Sequence, residues 1–481
     1  MFSENLVTKA EVSSDVAIPL ATPEPRQLTP GAEAWTCDIG ASNWSEAELL
    51  ARQAARESMA RTYPRGLPIA IGRAQGAEVF SVDGRRYLDF FAGAGVLALG
   101  HNHPRVVEAV EAQLRKLVHA LDFPTPARDE VTTELLQTLP RGLAGKMKIH
   151  WCAPTGSDAV EAALKLCKRA TGRGGVIAFM GSYHGMTTGA LSVTSLVEAR
   201  EQLQSLMPGV AFAPFAYCAR CPLGLRKTSC GTACASLFET MLTDTHSGVP
   251  KPAAVIMELV QGEGGGIIPP GEFVRRTRGA SQRARVPWIA DEIQMGFGRT
   301  GKFWAFEHFD VLPDVIVTSK ALGGIGLPIA AIIYRKELDL WEPGTHIGTF
   351  RGHQLAMAAG SAALRVFREE GILEAVCRRS QEISAALATI ACPYLFETRV
   401  KGLSIALEFA DPETGAIASR FARQVRKEAF DRGLLCELGG RGDATLRLLP
   451  PLVITAAQAE EGIAIVRSAI DAAMRNLRHV A

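Results

Sequence analysis

The stretch Asp314-Val315-Ile316-Val317-Thr318-Ser319-Lys320 is a short β-branched run that ends on a lysine, and Gly323, Gly324, Gly326 and Pro328 follow closely. It reads as a buried parallel strand that delivers an amine into a roomy turn at its carboxyl end. Strands of this kind need cover on both faces, which points to a large α/β architecture. An amine held there, partly desolvated and near polarising groups, loses some of its preference for the ammonium form. The neutral form can attack a carbonyl carbon. Taken alone, the same lysine reads more simply as a surface residue at a strand end.

A second run changes that balance. Val286-Pro287-Trp288-Ile289-Ala290 is again apolar and ends on a functional group, the carboxylate of Asp291. Chemistry on an amine–carbonyl adduct needs an electron sink, and a protonated pyridine ring is one. The ring nitrogen keeps its proton beside an anion. A lysine and an aspartate on successive strand ends therefore suit pyridoxal 5'-phosphate.

Residues 291–301 read Asp-Glu-Ile-Gln-Met-Gly-Phe-Gly-Arg-Thr-Gly, and Ser319-Lys320 precedes the glycines. In this the chain resembles the class III (omega) aminotransferases, from about Arg61 to the C-terminus. The resemblance implies the pyridoxal-phosphate type I fold: a large, mostly parallel seven-stranded sheet domain plus a smaller α+β domain. Expected divisions are an irregular arm over 1–45, a segment over 46–100 that joins the small domain, a large cofactor-binding domain over 101–350 and a small domain over 351–481.

The totals agree with such a protein. A chain of 481 residues can bury a large core, and a formal net charge of +2 gives no basic field for nucleic acid. No apolar stretch reaches membrane-span length and no secretory signal opens the sequence, so a cytoplasmic enzyme without membrane or nucleic-acid partners is expected. Ten cysteines are too sparse for a disulfide scaffold. Cys218, Cys221, Cys230 and Cys234 cluster at a spacing that could hold structural zinc or mark reduced thiols in an insertion, and no metal site is assigned to them.

Along the chain, Asp83-Gly84 between apolar runs predicts a hairpin. Pro104 opens a helix with Val106, Val107, Val110, Leu114, Leu117 and Val118 on one face. The residues from Met147 to Cys152 read as a strand, followed by Thr155-Gly156-Ser157 and a helix. That geometry offers free N–H groups to a phosphate, and it equally describes a plain N-cap. Tyr183, at another strand end, can stack on a ring face, or simply pack with His184. Arg447 stands alone in an apolar frame, where it can clamp a carboxylate or make a structural ion pair.

The resemblance assigns roles among these alternatives. It gives Thr155, Gly156 and Ser157 to the cofactor phosphate, with Asp158 in place of the family's usual Glu. Tyr183 covers the cofactor ring and His184 supports it. Lys320 is the catalytic amine, Asp291 holds the ring nitrogen and Gln294 reaches the ring hydroxyl. Thr349 contacts the phosphate of the neighbouring subunit, which implies a homodimer with shared sites. Arg447 binds a substrate carboxylate, and Glu263 pairs with it when a terminal-amine substrate is bound.

Leu259, Arg351, His353 and Gln354 depart from the broad pattern. The Thr-Phe-Arg-Gly-His-Gln form at 349–354 resembles the diaminobutyrate branch. That branch implies amino transfer from L-glutamate to the aldehyde of L-aspartate 4-semialdehyde. A 4-aminobutyrate, ornithine or lysine aminotransferase, a racemase on the same scaffold, and a non-catalytic binding paralogue are the alternatives.

Overall fold

Among the described residues fifteen strands fall into three sheets, and the largest follows directly from the apolar runs. The computed structural model describes residues 44–203 and 205–478. From Ser45 onward the chain folds as one unit, and most of the expected N-terminal arm lies outside the described residues.

The large sheet has seven strands: β4 (Met147–Trp151), β5 (Val176–Phe179), β6 (Val210–Ala213), β7 (Ala254–Glu258), β8 (Trp288–Asp291), β9 (Val315–Thr318) and β10 (Ala331–Arg335). Their spatial order is β4-β10-β9-β8-β7-β5-β6. Neighbours from β9 to β6 run parallel, and only β10 runs against the rest. The expected mostly parallel seven-stranded sheet is therefore present.

Alternate residues of its central strands enter different cores. Val255 and Met257 of β7 join one cluster, and Ala254 and Ile256 join the other. A strand buried on both faces must be apolar at every position, which is why these runs show no polar alternation. The helix Gly156–Thr171 covers one face with Ala159, Val160 and Ala163, and the helix Gly271–Arg283 packs Phe273 and Val274 on the other.

Two four-stranded sheets complete the unit. One joins β1 (Ile71–Gln75), β2 (Glu78–Ser81) and β3 (Arg86–Asp89) to β13 (Leu434–Leu435), so the early hairpin pairs with a segment near the C-terminus. The other is antiparallel, with β11 (Leu395–Lys401), β12 (Ser404–Phe409), β15 (Thr445–Leu448) and β14 (Glu437–Gly439) in that order.

The helix after Pro104 corrects one expectation. It ends at Leu114, and only Val106 on it is fully buried. Leu114, Leu117 and Val118 are exposed. The apolar stripe is real, but nothing among the described residues covers its far end. Among the described residues, no helix is long and apolar enough to cross a membrane.

Asp314 ties the sheet edge to its covering helix. Its carboxylate accepts from both Nη atoms of Arg278 at 2.7 and 2.9 Å, from Arg335 Nε at 2.9 Å, and from the Trp288 backbone N–H at 3.0 Å. Arg278 is buried. Removing the carboxylate strands a buried guanidinium. Asp314→Ala is expected to destabilise the fold by about 3 kcal/mol, read as a lowered midpoint in urea denaturation. An unchanged midpoint would show that the cluster does not hold the sheet edge.

Candidate active site

Three parallel strands end side by side at the carboxyl edge of the large sheet: β7 on Glu258, β8 on Asp291 and β9 just before Ser319-Lys320. Glu258 and Asp291 are register partners, so their side chains leave the edge together. Ligands of open α/β sheets bind outside such strand ends. Here the edge opens into a cavity of about 390 Å³.

Lys320 has φ +43°, a left-handed backbone conformation on a side-chain-bearing residue. Strain of this kind clusters at functional sites. Its Nζ donates to the Ala94 carbonyl at 3.0 Å, and Ala94 is itself left-handed, with φ +59°. Burial lowers the Lys320 pKa; Glu263 pulls it back up and Arg447 pushes it further down. An amine in this condition has access to its neutral, nucleophilic form.

Asp291 is fixed on both oxygens. Oδ1 accepts from the Ile293 N–H at 3.0 Å, and Oδ2 lies 2.7 Å from His184 Nδ1, which donates to it. His184 is buried, and its backbone N–H donates to Thr194 Oγ1 at 2.9 Å. Glu258 is spent on backbone groups, accepting from Tyr183 N at 2.9 Å and Gly262 N at 2.8 Å. Burial pushes its carboxyl up to about 7; His184 opposes that and the neighbouring Asp291 adds to it.

At the cavity's other end the helix Gly156–Thr171 begins. Thr155 is its N-cap, with Oγ1 accepting from the Asp158 N–H at 3.2 Å. The Thr155 hydroxyl is thus engaged in capping. The N–H groups of Gly156 and Ser157 have no protein acceptor among the described residues, and both residues line the cavity. Gly185 lies against them, with φ +127°, and a Cβ there would come 2.2 Å from Ser157 Oγ.

Arg447 enters from β15 of the small antiparallel sheet. It is buried, with Nη1 2.6 Å from Glu263 Oε2 and Nη2 donating to Gln294 Oε1 at 2.8 Å. Gln294 Nε2 in turn donates to the Ala94 carbonyl at 3.1 Å and reaches Glu263 Oε1 at 3.5 Å. Burial alone would raise the Glu263 pKa, but Arg447, helped by Lys320 and Gln294, outweighs it and the net shift is downward. Two glycines make the room: a Cβ on Gly439 would meet Arg447 Cδ at 2.7 Å, and one on Gly262 would meet Gln294 Oε1 at 2.0 Å.

Of the residues singled out from the sequence, Lys320, Asp291, His184 and Tyr183 line the cavity, as do Gly156, Ser157, Gln294, Glu263 and Arg447. Gln294 sits against the arginine and the Ala94 carbonyl, a contact the sequence did not suggest. Thr349 is exposed and lines no part of this cavity; its carbonyl accepts from His119 Nε2 at 2.9 Å. Tyr63 and Glu437 line the cavity and were not singled out. Glu437 left a trace, a lone charge in the apolar run from Leu434 to Leu438.

Cys218, Cys221, Cys230 and Cys234 line one small separate pocket as free thiols. Among the described residues, no group of three or more His, Cys, Asp or Glu is arranged to hold a metal ion.

Comparison with known proteins agrees with this geometry. The family model for class III aminotransferases matches residues 58–470. A diaminobutyrate–2-oxoglutarate aminotransferase from Rhizobium meliloti is 46% identical over 439 residues, which cover 89% of this chain and 92% of that protein. Its counterpart from Haemophilus influenzae is 41% identical, covering 90% and 97%. Among solved structures, an ornithine aminotransferase from Toxoplasma gondii, with PLP partly occupying its active site, superposes with a TM-score of 0.78. It is 26% identical, and the match covers 90% of this chain and 95% of that one. With strand ends, cavity and sequence in agreement, the chain belongs to the class III aminotransferase family.

Proposed function

We propose that this chain is a pyridoxal-phosphate-dependent aminotransferase exchanging an amino group between L-glutamate and L-aspartate 4-semialdehyde, with L-2,4-diaminobutyrate and 2-oxoglutarate as products. The observation that carries the reading is the meeting, in one cavity, of a pKa-lowered amine, a histidine-backed aspartate and a buried arginine closed by a glutamate. The substrate pair follows the R. meliloti and H. influenzae relatives, which are named for diaminobutyrate and 2-oxoglutarate.

The residues present fit the cofactor. Asp291, oriented by His184, suits a protonated ring nitrogen. The unbonded N–H groups of Gly156 and Ser157, at the start of a 16-residue helix, suit a phosphate. Gly185, without a Cβ, lets the turn after Tyr183-His184 lie close against Ser157 at the head of that helix. Tyr183 flanks the same volume and offers a ring face. Bound there, pyridoxal phosphate supplies the carbonyl that a primary amine condenses with and the electron sink that makes the substrate carbon acidic.

The chain's own residues do the rest. Lys320 would hold the cofactor, and its free amine would take the proton from the substrate carbon and return it, as general base and then acid. Asp291 keeps the ring nitrogen protonated. For Gln294 to reach the ring hydroxyl, its N–H must leave Ala94 or Glu263. Arg447 binds the α-carboxylate of glutamate after Glu263 releases it, and the closed pair at 2.6 Å suits the half-reaction with the terminal amine.

The active unit is a homodimer in this reading. Leu121, Phe123, Ile347 and Phe350 are exposed, with Phe123, Ile347 and Phe350 61–70% accessible. His119 joins the two segments through its contacts to Thr349 and Phe350. A second copy over this patch buries it and brings Thr349 toward the neighbouring cavity. The free thiols suit a reducing, cytoplasmic setting.

Incubating the holoenzyme with diaminobutyrate and 2-oxoglutarate should yield glutamate, with 4-aminobutyrate, ornithine and lysine slower by about tenfold or more. Stereochemical inversion of an amino acid without 2-oxoglutarate would instead mark a racemase. Lys320→Ala should lose the lysine-linked cofactor absorption and at least about 10³-fold in turnover; a variant retaining a tenth of wild-type activity contradicts the assignment. Glu263→Gln frees Arg447, so the diaminobutyrate half-reaction should fall about tenfold more than the glutamate half-reaction. Equal losses in single-turnover spectra would rule out the switch.

A further inference from the structure

Four carboxylates line the active cavity, and in three of them both oxygens have a protein donor. Asp291 is held by Ile293 N and His184, Glu258 by Tyr183 N and Gly262 N, and Glu263 by Arg447 and Gln294. The fourth is Glu437. Its Oε1 accepts from Arg426 Nη1 at 2.8 Å and from its neighbour's backbone, Leu438 N, at 2.9 Å. Its Oε2 has no protein donor among the described residues. A carboxylate oxygen lining a concave site without a donor is set to receive a cation or a hydrogen-bond donor from outside the protein.

Position narrows what that donor is. Glu437 on β14 is the register partner of Arg447 on β15. Directly opposed residues of an antiparallel pair project on the same face, about 5 Å apart at Cβ. Glu437 therefore borders the carboxylate-binding end of the cavity, apart from the strand edge that carries Asp291 and Lys320. The Tyr63 hydroxyl lies in the same corner: burial raises its pKa first, then Glu263 and Glu437. With Arg447 closed on Glu263, the uncommitted charge-bearing atom in this corner is Glu437 Oε2.

We infer that Glu437 is a specificity-determining residue whose free carboxylate oxygen binds the α-ammonium of a substrate that reacts through a different, terminal nitrogen. The inference rests on the diamino-acid reading above and deepens it. Diaminobutyrate keeps its α-ammonium while its terminal amine reacts. 4-Aminobutyrate has the same terminal amine, chain length and carboxylate, and lacks only the α-ammonium. Glu437 gives the first a charge-assisted hydrogen bond that the second cannot make. Arg426, bonded to the other oxygen, holds the carboxylate in place.

The test is the ratio of kcat/KM for L-2,4-diaminobutyrate to that for 4-aminobutyrate, with 2-oxoglutarate as acceptor, in the holoenzyme and in Glu437→Gln. The ratio is read within one preparation, so any loss of folded protein cancels. It should fall about 10- to 100-fold in Glu437→Gln, through KM for diaminobutyrate. Glu437→Asp, which keeps the charge on a shorter arm, should retain more of the ratio. A wild-type enzyme active on diaminobutyrate whose ratio is unchanged in Glu437→Gln, or falls equally in both variants, overturns this inference and leaves the proposed function standing. A wild-type enzyme inactive on diaminobutyrate overturns the proposed function, and this inference with it.

Discussion

A primary amine taken out of water must shed its proton or find an anion, and Lys320 is poised between these outcomes. Among the described residues no carboxylate bonds its Nζ; a backbone carbonyl does. The nearby acids are spent elsewhere, Glu258 on backbone N–H groups, Asp291 on His184 and Glu263 on Arg447. Had any of them paired with Lys320 directly, the ammonium form would be favoured and the amine silenced. The site's acids are thus arranged as much by what they avoid as by what they bind.

The segment after β8 shows how catalytic and architectural duties share one sequence. Asp291 and Gln294 face the cavity, while Glu292 turns into the core. Glu292 accepts from Ala305 N at 2.8 Å and Phe306 N at 3.0 Å, and burial pushes its carboxyl up to about 8. Arg299 is also buried; its Nη1 donates to the Leu403 and Pro450 carbonyls, and burial lowers its pKa to about 9. Leu403 precedes β12, and Pro450 follows β15, the strand of Arg447. Arg299 therefore helps set how the antiparallel sheet sits beside the strand edge, and so how far Arg447 stands from Lys320.

What the sequence disclosed has a physical pattern. Strands buried on both faces must be uniformly apolar, so β7, β8 and β9 were legible, as were the polar residues at their ends. Local turn chemistry disclosed the Asp83-Gly84 hairpin, seen as β2 paired with β3. Contacts between distant segments carry no such mark. Gln294 meets Arg447 across 153 positions, and neither residue type signals the other. Tyr63 reaches the cavity packed on Phe91, ring centroids 5.2 Å apart, a contact between separated segments without local signature. The stripe running to Val118 was read correctly as apolar, but periodicity cannot say whether the cover comes from the same chain.

The loop bearing Glu263 limits how the ion pair can open. Its backbone is stapled to the antiparallel sheet and its flank: the Glu263 carbonyl accepts from Gly440 N at 2.9 Å, and the Gly265 carbonyl accepts from Arg399 Nε at 3.1 Å and Nη2 at 2.7 Å. Arg441 Nη1 adds a bond to the Gly264 carbonyl at 3.2 Å. A Cβ on Gly264 would meet the Gly181 carbonyl at 2.5 Å, so the loop also abuts the turn after β5. With the main chain fixed on both sides, separation of Glu263 from Arg447 reduces to rotation of the Glu263 side chain. Such a rotation costs one charge-assisted contact and can be repaid by one substrate carboxylate on Arg447. In the proposed reaction, a rigid backbone with one rotating carboxylate is a sufficient device for accepting two differently charged substrates in turn.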